Sequence, residues 1–454
     1  MKRRHIRVLL LSVLILLGIP SNASSEFPRA DRNAGHYNEV IVSVAPGTLP
    51  AALLKRSRAL GPSERYYALP FDSSDSFEAF RKLLFQYPQI YRVEPNIWLK
   101  RIRTMAFNDP LYASQWYHTT LESEVLFELT HDTSDVRVAV IDSAIELSHP
   151  DLAGALVAPL DVYQGDDDPS PEPGDYCIDA PEALCDDHGT AVTGVIAARA
   201  NNNIGVVGFC AQCTVIPIRL IGEYIAPLSA DIEAFEHAIA QDAWVINNSW
   251  GYAEAIPVSD TLREVIDRAN SEPRNGKGAV VVFAAGNDNR EIEEFELGAL
   301  PNILSVSATD QFGNPTPYTN TGASIDLSAP SATVSTSVNG DYTSSFGGTS
   351  AAAPVVSGIA ALVLSAKPEL TSQEVRDLLT QTAFKDGRVQ FDAQGHHKTF
   401  GFGFIDPGAI REALETETSK GGGCQSQTGA TLLPLLGLLV ALALLNRKRS
   451  PSEL

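Results

Sequence analysis

Four polar residues stand where an apolar run ends or a helical segment begins, and together they offer the groups needed for acyl transfer. Asp142 ends the apolar run 138–141, and Asn287 follows a similar run and a glycine. His188 lies where a polar loop enters a helix of small residues, and Ser350 follows a glycine turn before another such helix. A carboxylate, an imidazole, a hydroxyl and an amide can act as orienting acid, base, nucleophile and oxyanion donor.

Each residue also has a plainer explanation. Asp142 and Ser350 could cap helix N-termini, His188 could lie in a surface loop, and Asn287 could occupy a turn. The set is more specific than its members, because Asp, then His, then Ser is one of the known chain orders of a catalytic triad. The order and the glycine-rich surroundings favour catalysis.

The segment that carries these residues alternates short apolar runs with helical patterns. Apolar runs that lack polar alternation, separated by helices, predict a parallel sheet covered on both faces. The predicted fold class is therefore α/β, doubly wound, with functional residues at the carboxyl ends of the strands. The predicted strands are 136–141, 215–220, 244–248, 279–284 and 303–307, and the predicted helices include 230–241 and 260–270.

Three longer motifs contain the candidate triad. They read VAVIDSAIELSHPD from Val138, DHGTAVTGVIAA from Asp187 and GGTSAAAPVVSG from Gly347. These motifs resemble the Asp, His and Ser motifs of the subtilisin-like serine proteases, the subtilases. The similarity extends over residues 108–414 and implies a subtilisin-like serine endopeptidase domain there.

The resemblance also implies a role for each candidate. Asp142 would hold the tautomer of His188, and His188 would deprotonate Ser350. Asn287 and the backbone N–H of Ser350 would bind the oxyanion. The reaction would need no cofactor, and the partners would be protein or peptide substrates.

A further segment and one departure bear on substrate binding. In the family, the backbone at Ser249, Trp250 and Gly251 pairs with an extended substrate strand. The family usually has glycine two residues after the catalytic aspartate, where this chain has Ala144. The alternative function is therefore a catalytically impaired pseudoprotease that binds peptides in the same groove.

Acidic residues cluster before the candidate histidine. The stretch 166–168 and the pair Asp186 and Asp187 resemble kexin-like members of the family. Carboxylates are hard oxygen ligands that suit calcium, so a structural calcium ion is expected, and a solvated acidic loop is the alternative. The carboxylates considered are Asp161, Asp166, Asp167, Asp168 and Asp175.

The first 105 residues predict a precursor. Residues 1–23 have the basic start, apolar run and small-residue end of a signal peptide, which predicts export. Residues 36–105 predict a small α+β domain that resembles the subtilase propeptide, so the chain's own propeptide is an expected partner. A permanent accessory domain is the alternative.

The C-terminal segment predicts sorting or anchoring at the cell envelope. Residues 415–427 form a Gly/Ser/Thr linker with Cys424, and 428–449 are apolar with a basic end. This tail resembles sorting signals of the MYXO-CTERM kind, which implies a C-terminal sorting protease and lipid attachment at the cysteine. A plain transmembrane anchor is the alternative.

The net charge and the cysteines indicate which partners and cross-links to expect. The net charge of −21 disfavours nucleic acid as a partner. In an oxidising compartment, local disulfides Cys177–Cys185 and Cys210–Cys213 are expected, which leaves Cys424 over. The C-x-x-C at 210–213 could instead bind metal or act in redox chemistry.

Overall fold

The computed structural model divides the chain into two compact units, with the division after Arg103. The predicted signal peptide, the tail from residue 421 onward and the cysteines at 177, 185 and 424 lie outside the described residues, whereas residues 415–420, predicted as linker, end the helix Pro407–Lys420. The structure describes residues 39–60, 62–70, 77–96, 107–128, 133–173, 186–222, 226–387 and 389–420.

The first unit is an antiparallel sheet with two helices. Its elements are β1 (Glu39–Val44), α1 (Ala51–Leu54), β2 (Arg58–Ala59), β3 (Tyr66–Pro70), α2 (Phe77–Leu84) and β4 (Ile90–Pro95). The strands lie in the order β2-β3-β1-β4. Val40, Val42 and Val44 alternate along β1 and are fully buried, as expected for one face of a sheet. The unit has the α+β character predicted for 36–105, and its role as a propeptide stays a prediction.

The second unit holds the candidate residues. Its helices are α3 (Trp116–Leu121), α4 (Glu124–Phe127), α5 (His188–Ala197), α6 (Leu228–Ala240), α7 (Asp260–Ala269), α8 (Pro273–Gly276), α9 (Thr349–Ala366), α10 (Ser372–Gln381) and α11 (Pro407–Lys420). Its strands are β5 (Arg137–Asp142), β6 (Leu160–Asp161), β7 (Thr214–Arg219), β8 (Val245–Asn248), β9 (Val280–Ala284), β10 (Leu304–Thr309), β11 (Leu327–Pro330), β12 (Ser335–Ser337) and β13 (Asp341–Thr343).

Seven of these strands form one sheet in the order β11-β10-β9-β8-β5-β7-β6. Neighbouring strands in it are parallel throughout. β5 is the first strand of this sheet along the chain and lies between β7 and β8, so the chain adds strands on one side of β5 and then on the other. This reversal makes the carboxyl end of β5 a switch point of the kind where ligands bind. The predicted doubly wound α/β fold is confirmed.

Both faces of the sheet are buried, which explains the unbroken apolar runs. Val138 and Val140 of β5 pack in one hydrophobic cluster with residues of α5 and α9. Ala139 and Ile141 pack in the other, with residues of α6 and α7. Because successive side chains of a strand point to opposite faces, one apolar run supplies both layers.

Helix α9 is buried on every side from residue 349 to 364. Among the described helices, it alone is long and apolar enough to cross a membrane, and 83% of that stretch is buried inside the protein. A helix that is apolar all round fits the core of a large domain. The loop before β7 packs in the same cluster and carries the predicted Cys210–Cys213 disulfide, which the structure contains.

The packing of α9 against Phe209 predicts the effect of one substitution. A Cβ at Gly358 would lie 2.5 Å from Cβ of Phe209, whereas a Cβ at exposed Gly387 would meet nothing within 4 Å. Helix propensity alone would make Gly358→Ala stabilising by about 1 kcal/mol. Overpacking costs about 1–3 kcal/mol, so we expect a net loss of stability. Denaturant unfolding measures it, with Gly387→Ala as the matched control. A Gly358→Ala protein as stable as that control would contradict the packing.

Candidate active site

The acid and the base of the predicted triad meet at the end of β5. Asp142 is the last residue of that strand, and its side chain is 1% exposed, whereas the imidazole of His188 is 40% exposed. Nδ1 of His188 lies 2.6 Å from Oδ1 of Asp142. An ionised carboxylate only accepts, so Nδ1–H is the donor, and Nε2 of a neutral ring can take a proton.

A glycine allows this approach. The hydrogen bond requires the start of α5 to lie against the turn that follows β5. A Cβ at Gly189 would lie 2.6 Å from the carbonyl oxygen of Ser143 and 2.7 Å from that of Ala144. Any side chain there would push His188 away from Asp142, because both neighbours are backbone atoms.

The candidate nucleophile lies at the start of α9. Ser350 is buried apart from 9% of its surface, and Gly348 before it has φ +79°, which favours glycine. Oγ of Ser350 donates to the carbonyl oxygen of Ser249 at 3.1 Å. Among the described residues, this is the hydrogen bond that Oγ makes, and none joins it to His188. Such bonds are often long in a site without substrate and shorten when substrate binds.

A proline inside α9 leaves the backbone carbonyl of Ser350 free to bond Ser249. Residue 354 would normally donate its N–H to the carbonyl of residue 350, but Pro354 has no N–H. The free carbonyl of Ser350 accepts a hydrogen bond from Oγ of Ser249 at 3.0 Å instead. Ser249 and Ser350 therefore exchange two hydrogen bonds that tie the end of β8 to the start of α9.

The orientation of the Asn287 amide is set by Thr349, the first residue of α9. Its Oδ1 accepts hydrogen bonds from the backbone N–H of Thr349 at 2.9 Å and from Oγ1 of Thr349 at 3.1 Å. Nδ2 is therefore the end of the amide left to donate to a ligand. Gly286, with φ +98°, makes the turn that brings Asn287 there.

Ser350 and Asn287 share one cleft with the predicted substrate-binding segment. Ser249 is buried, Trp250 packs edge-on against Phe283 with ring centroids 5.6 Å apart, and Gly251 is exposed. The cleft has a volume of about 110 Å³ and is open to solvent. Its lining includes Ser249, Trp250, Gly251, Glu254, Phe283, Ala285, Asn287, Asp288, Arg290, Glu296, Leu297 and Ser350.

His188 reaches the same region through an aromatic contact. Its ring packs edge-on against Phe346, which lies just before the glycine turn of Ser350, with centroids 5.5 Å apart. Helices α5 and α9 also pack against each other. The structure thus gathers all seven predicted site residues at one edge of the sheet. Sequence reasoning missed Phe346, Pro354 and Gly189, although the last two lie inside the quoted motifs.

The departure at Ala144 causes no distortion. Ala144 is fully buried and is absent from the residues with positive φ, so its methyl group does not force a left-handed backbone. Its N–H donates to Oδ2 of Asp186 at 3.0 Å. The pseudoprotease hypothesis rests on Ala144, and the backbone conformation of Ala144 gives it no support.

The acidic segment before α5 is only partly described. Asp161 forms an ion pair with Arg219 at 3.3 Å, and both side chains are fully buried. Carboxylate oxygens of Asp166 and Asp168 accept backbone N–H groups of their own loop. Asp175 lies outside the described residues. Within the described part of the chain, no group of three or more His, Cys, Asp or Glu side chains is arranged to hold a metal ion.

The electrostatics around His188 predict its titration. Partial burial lowers its pKa, but the charge of Asp142, its hydrogen bond, and the charges of Asp186 and Asp187 outweigh this and raise the pKa above 6.5. In Asp142→Asn the largest raising cause is gone, so the pKa should fall below the wild-type value. Nuclear magnetic resonance of ring-labelled histidine measures both values. Equal values in the two proteins would contradict the Asp142 contact.

The sequence is similar to those of known proteases. The family model described as "Subtilase family" matches residues 133–404. The chain is 29% identical over 325 residues to the "Calcium-dependent protease" of Trichormus variabilis, covering 62% of this chain and 47% of that protein. It is 31% identical over 338 residues to the "Halolysin-like extracellular serine protease Nep" of Natrialba magadii, covering 73% and 59%. The chain thus spans about half the length of these relatives.

Solved structures agree with the fold. A protease from Pseudoalteromonas arctica superposes with a TM-score of 0.58 at 28% identity, covering 68% of this chain and all of that one. The serine protease of Aeromonas sobria superposes with a TM-score of 0.57 at 24% identity, which supports the fold alone.

Subtilisin E of Bacillus subtilis is 32% identical over 286 residues, covering 61% of this chain and 67% of that protein. The chain belongs to the subtilase family.

Proposed function

We propose that the chain is a serine endopeptidase that cleaves peptide bonds through an acyl-enzyme formed on Ser350. The observation that carries the proposal is the 2.6 Å contact between His188 and Asp142, at the sheet edge where α9 begins with Ser350. An oriented imidazole beside a serine at a helix start, with an amide donor in the same cleft, suits acyl transfer. Membership of the subtilase family supports this chemistry.

The residues have distinct parts in the proposed reaction. Oγ of Ser350 attacks the scissile carbonyl carbon and loses its proton to Nε2 of His188, while Asp142 stabilises the charged ring. The oxyanion accepts hydrogen bonds from Nδ2 of Asn287 and the N–H of Ser350. His188 then protonates the leaving amine, and water releases the acyl group by the same steps. No cofactor takes part.

We propose that substrate binds as an extended strand along Ser249, Trp250 and Gly251. Gly251 is exposed, and a Cβ there would meet nothing within 4 Å, so the backbone is open to a partner strand. In the cleft, Nη1 and Nη2 of Arg290 donate hydrogen bonds to the two carboxylate oxygens of Glu296, at 2.6 and 2.7 Å. Glu296 is therefore committed within the protein, and a kexin-like preference for basic side chains stays a prediction.

We further propose that the chain is made as an exported precursor. The Natrialba relative is described as extracellular, and the unit at 39–96 folds on its own sheet, as a cleavable propeptide would need. Display on the envelope, a sorting protease and modification of Cys424 rest on the tail, which lies outside the described residues. They stay predictions from the sequence.

A structural calcium ion is proposed at two buried carboxylates. Asp109 accepts the backbone N–H groups of Asn201 and Asn202, and Asp151 accepts Nδ2 of Asn202 and the N–H of Val206. Burial raises the pKa of Asp151, and the charge of Asp109 adds to this. A cation bound between them would relieve that repulsion, with carboxylate and amide oxygens as ligands. A relative is named a calcium-dependent protease.

Removal of the nucleophile tests the proposed reaction. Ser350→Ala should lower kcat at least about 10⁴-fold, because no other group attacks the carbonyl. Stability should fall by only about 1 kcal/mol, the cost of the hydrogen bond to Ser249. Hydrolysis of a peptide library and thermal unfolding measure the two effects. Ser345→Ala, at an exposed position, is the matched control and should keep wild-type activity. Hydrolysis by pure Ser350→Ala protein at the control's rate would refute the proposed nucleophile.

Chelation tests the proposed calcium ion. If calcium is present at 100 times its dissociation constant, its removal should cost about 2.7 kcal/mol and lower the unfolding midpoint. Asp151→Asn should abolish the response to chelator, whereas Asp167→Asn, at an exposed position, should keep it. The opposite pattern would place the ion in the acidic segment. A wild-type midpoint that chelator leaves unchanged would rule out a stabilising ion.

A further inference from the structure

We propose that Asp186 is a positioning residue for this reaction: it holds the turn that follows Asp142 and places a second negative charge beside His188. The inference rests on the proposed function of Asp142, His188 and Ser350. Asp186 does not line the substrate cleft and contacts none of the reacting atoms. It acts through the residues that orient the base.

Both carboxylate oxygens of Asp186 bind the turn. The side chain is almost fully buried, at 3% exposure. Oδ1 accepts from the hydroxyl of Ser143 at 2.6 Å, and Oδ2 accepts from the N–H of Ala144 at 3.0 Å. A carboxylate that binds two consecutive residues fixes their position more firmly than a single bond would, and charged acceptors make strong hydrogen bonds.

The same turn continues into the catalytic pair. The N–H of Ser143 donates to Oδ1 of Asp142 at 2.8 Å, the oxygen that also accepts from His188. The hydroxyl oxygen of Ser143 accepts from the N–H of Gly189 at 3.2 Å, at the start of the histidine's own helix. Ser143 therefore links Asp186 to both sides of the acid–base contact. Loss of the Asp186 carboxylate would loosen the two sides together.

Asp186 also adds charge where few positive groups oppose it. Burial and the charge of Asp142 raise its pKa to about 6, while its two hydrogen bonds and Arg219 act in the lowering direction. Arg219 is engaged by Asp161, and within the described residues Oδ2 of Asp142 has no hydrogen-bond partner. Two acidic groups thus share the pocket behind the imidazole. Around neutral pH their charges favour the protonated ring.

The charge of Asp186 shifts the pH dependence of activity in one direction. A base must be neutral to accept a proton, so activity falls as pH drops through the pKa of His188. The negative charge of Asp186 raises that pKa, as do those of Asp142 and Asp187. Asp186 therefore moves the acid limb of the pH profile upward, and its neutral replacement should move the limb downward.

The pH profile of kcat/KM in Asp186→Asn tests both roles. We expect the acid limb to shift down by about 0.5–1 pH unit through loss of the charge. We expect the plateau at high pH to fall about tenfold through loss of positioning. Active sites are counted by endpoint labelling with a serine-directed phosphonate, so that unfolded protein does not lower the rate.

Two neighbouring variants separate charge from positioning. Ser143→Ala removes the hydroxyl that joins Asp186 to Gly189 but keeps the Asp186 carboxyl group, which is ionised at high pH, so the plateau should fall while the limb moves less than in Asp186→Asn. Asp187→Asn removes the adjacent charge, whose carboxylate bonds Ser337 instead. It should shift the limb slightly downward and keep the plateau within about twofold.

The outcomes that overturn the inference are separate from those that overturn the proposed function. An Asp186→Asn profile that coincides with the wild-type profile in limb and plateau refutes it. If that variant does not fold, Asp186→Glu keeps the charge with a longer side chain, and an unchanged plateau there refutes the positioning role. An inactive wild type, or an active Ser350→Ala protein, refutes the peptidase proposal itself.

Discussion

The site depends on how closely the start of α5 approaches the turn after β5. The hydrogen bond between His188 and Asp142 is 2.6 Å long, and a Cβ at Gly189 would meet two carbonyl oxygens at 2.6 and 2.7 Å. The bond forms where these two backbone segments are in close contact. The sheet supplies the fixed side of this contact, because β5 is buried between two neighbours and both helical layers.

A second constraint joins the nucleophile to the neighbouring strand. Pro354 leaves the carbonyl of Ser350 without its helical partner, and Ser249 supplies one. The hydroxyl of Ser350 returns a hydrogen bond to the carbonyl of Ser249. Pro354 interrupts the hydrogen bonding of the helix, and this interruption helps to hold Ser350 against the segment proposed to bind substrate.

Buried charge is concentrated on the acid side of the site. Asp142, Asp161 and Asp186 are all almost fully buried, and Arg219 lies among them as a fully buried cation paired with Asp161. Desolvation of so many acids is costly unless hydrogen bonds offset it. The turn at Ser143 and Ala144 provides several of those bonds. The same arrangement raises the pKa of His188, so the charges that hold the turn also set the strength of the base.

The sequence by itself determined the fold class, the strand ends and the identity of the seven candidate residues. It could do so because apolar runs, glycine turns and small-residue helices are local patterns, and strands predicted at 136–141 and 279–284 lie within a residue or two of those observed. Only the tertiary structure decided the contacts of Asp186, Phe346 and Pro354 and the ion pair between Asp161 and Arg219. Asp186, Phe346 and the carbonyl freed by Pro354 meet partners far away in the chain, and such pairings follow from packing across the sheet edge, which no local pattern records.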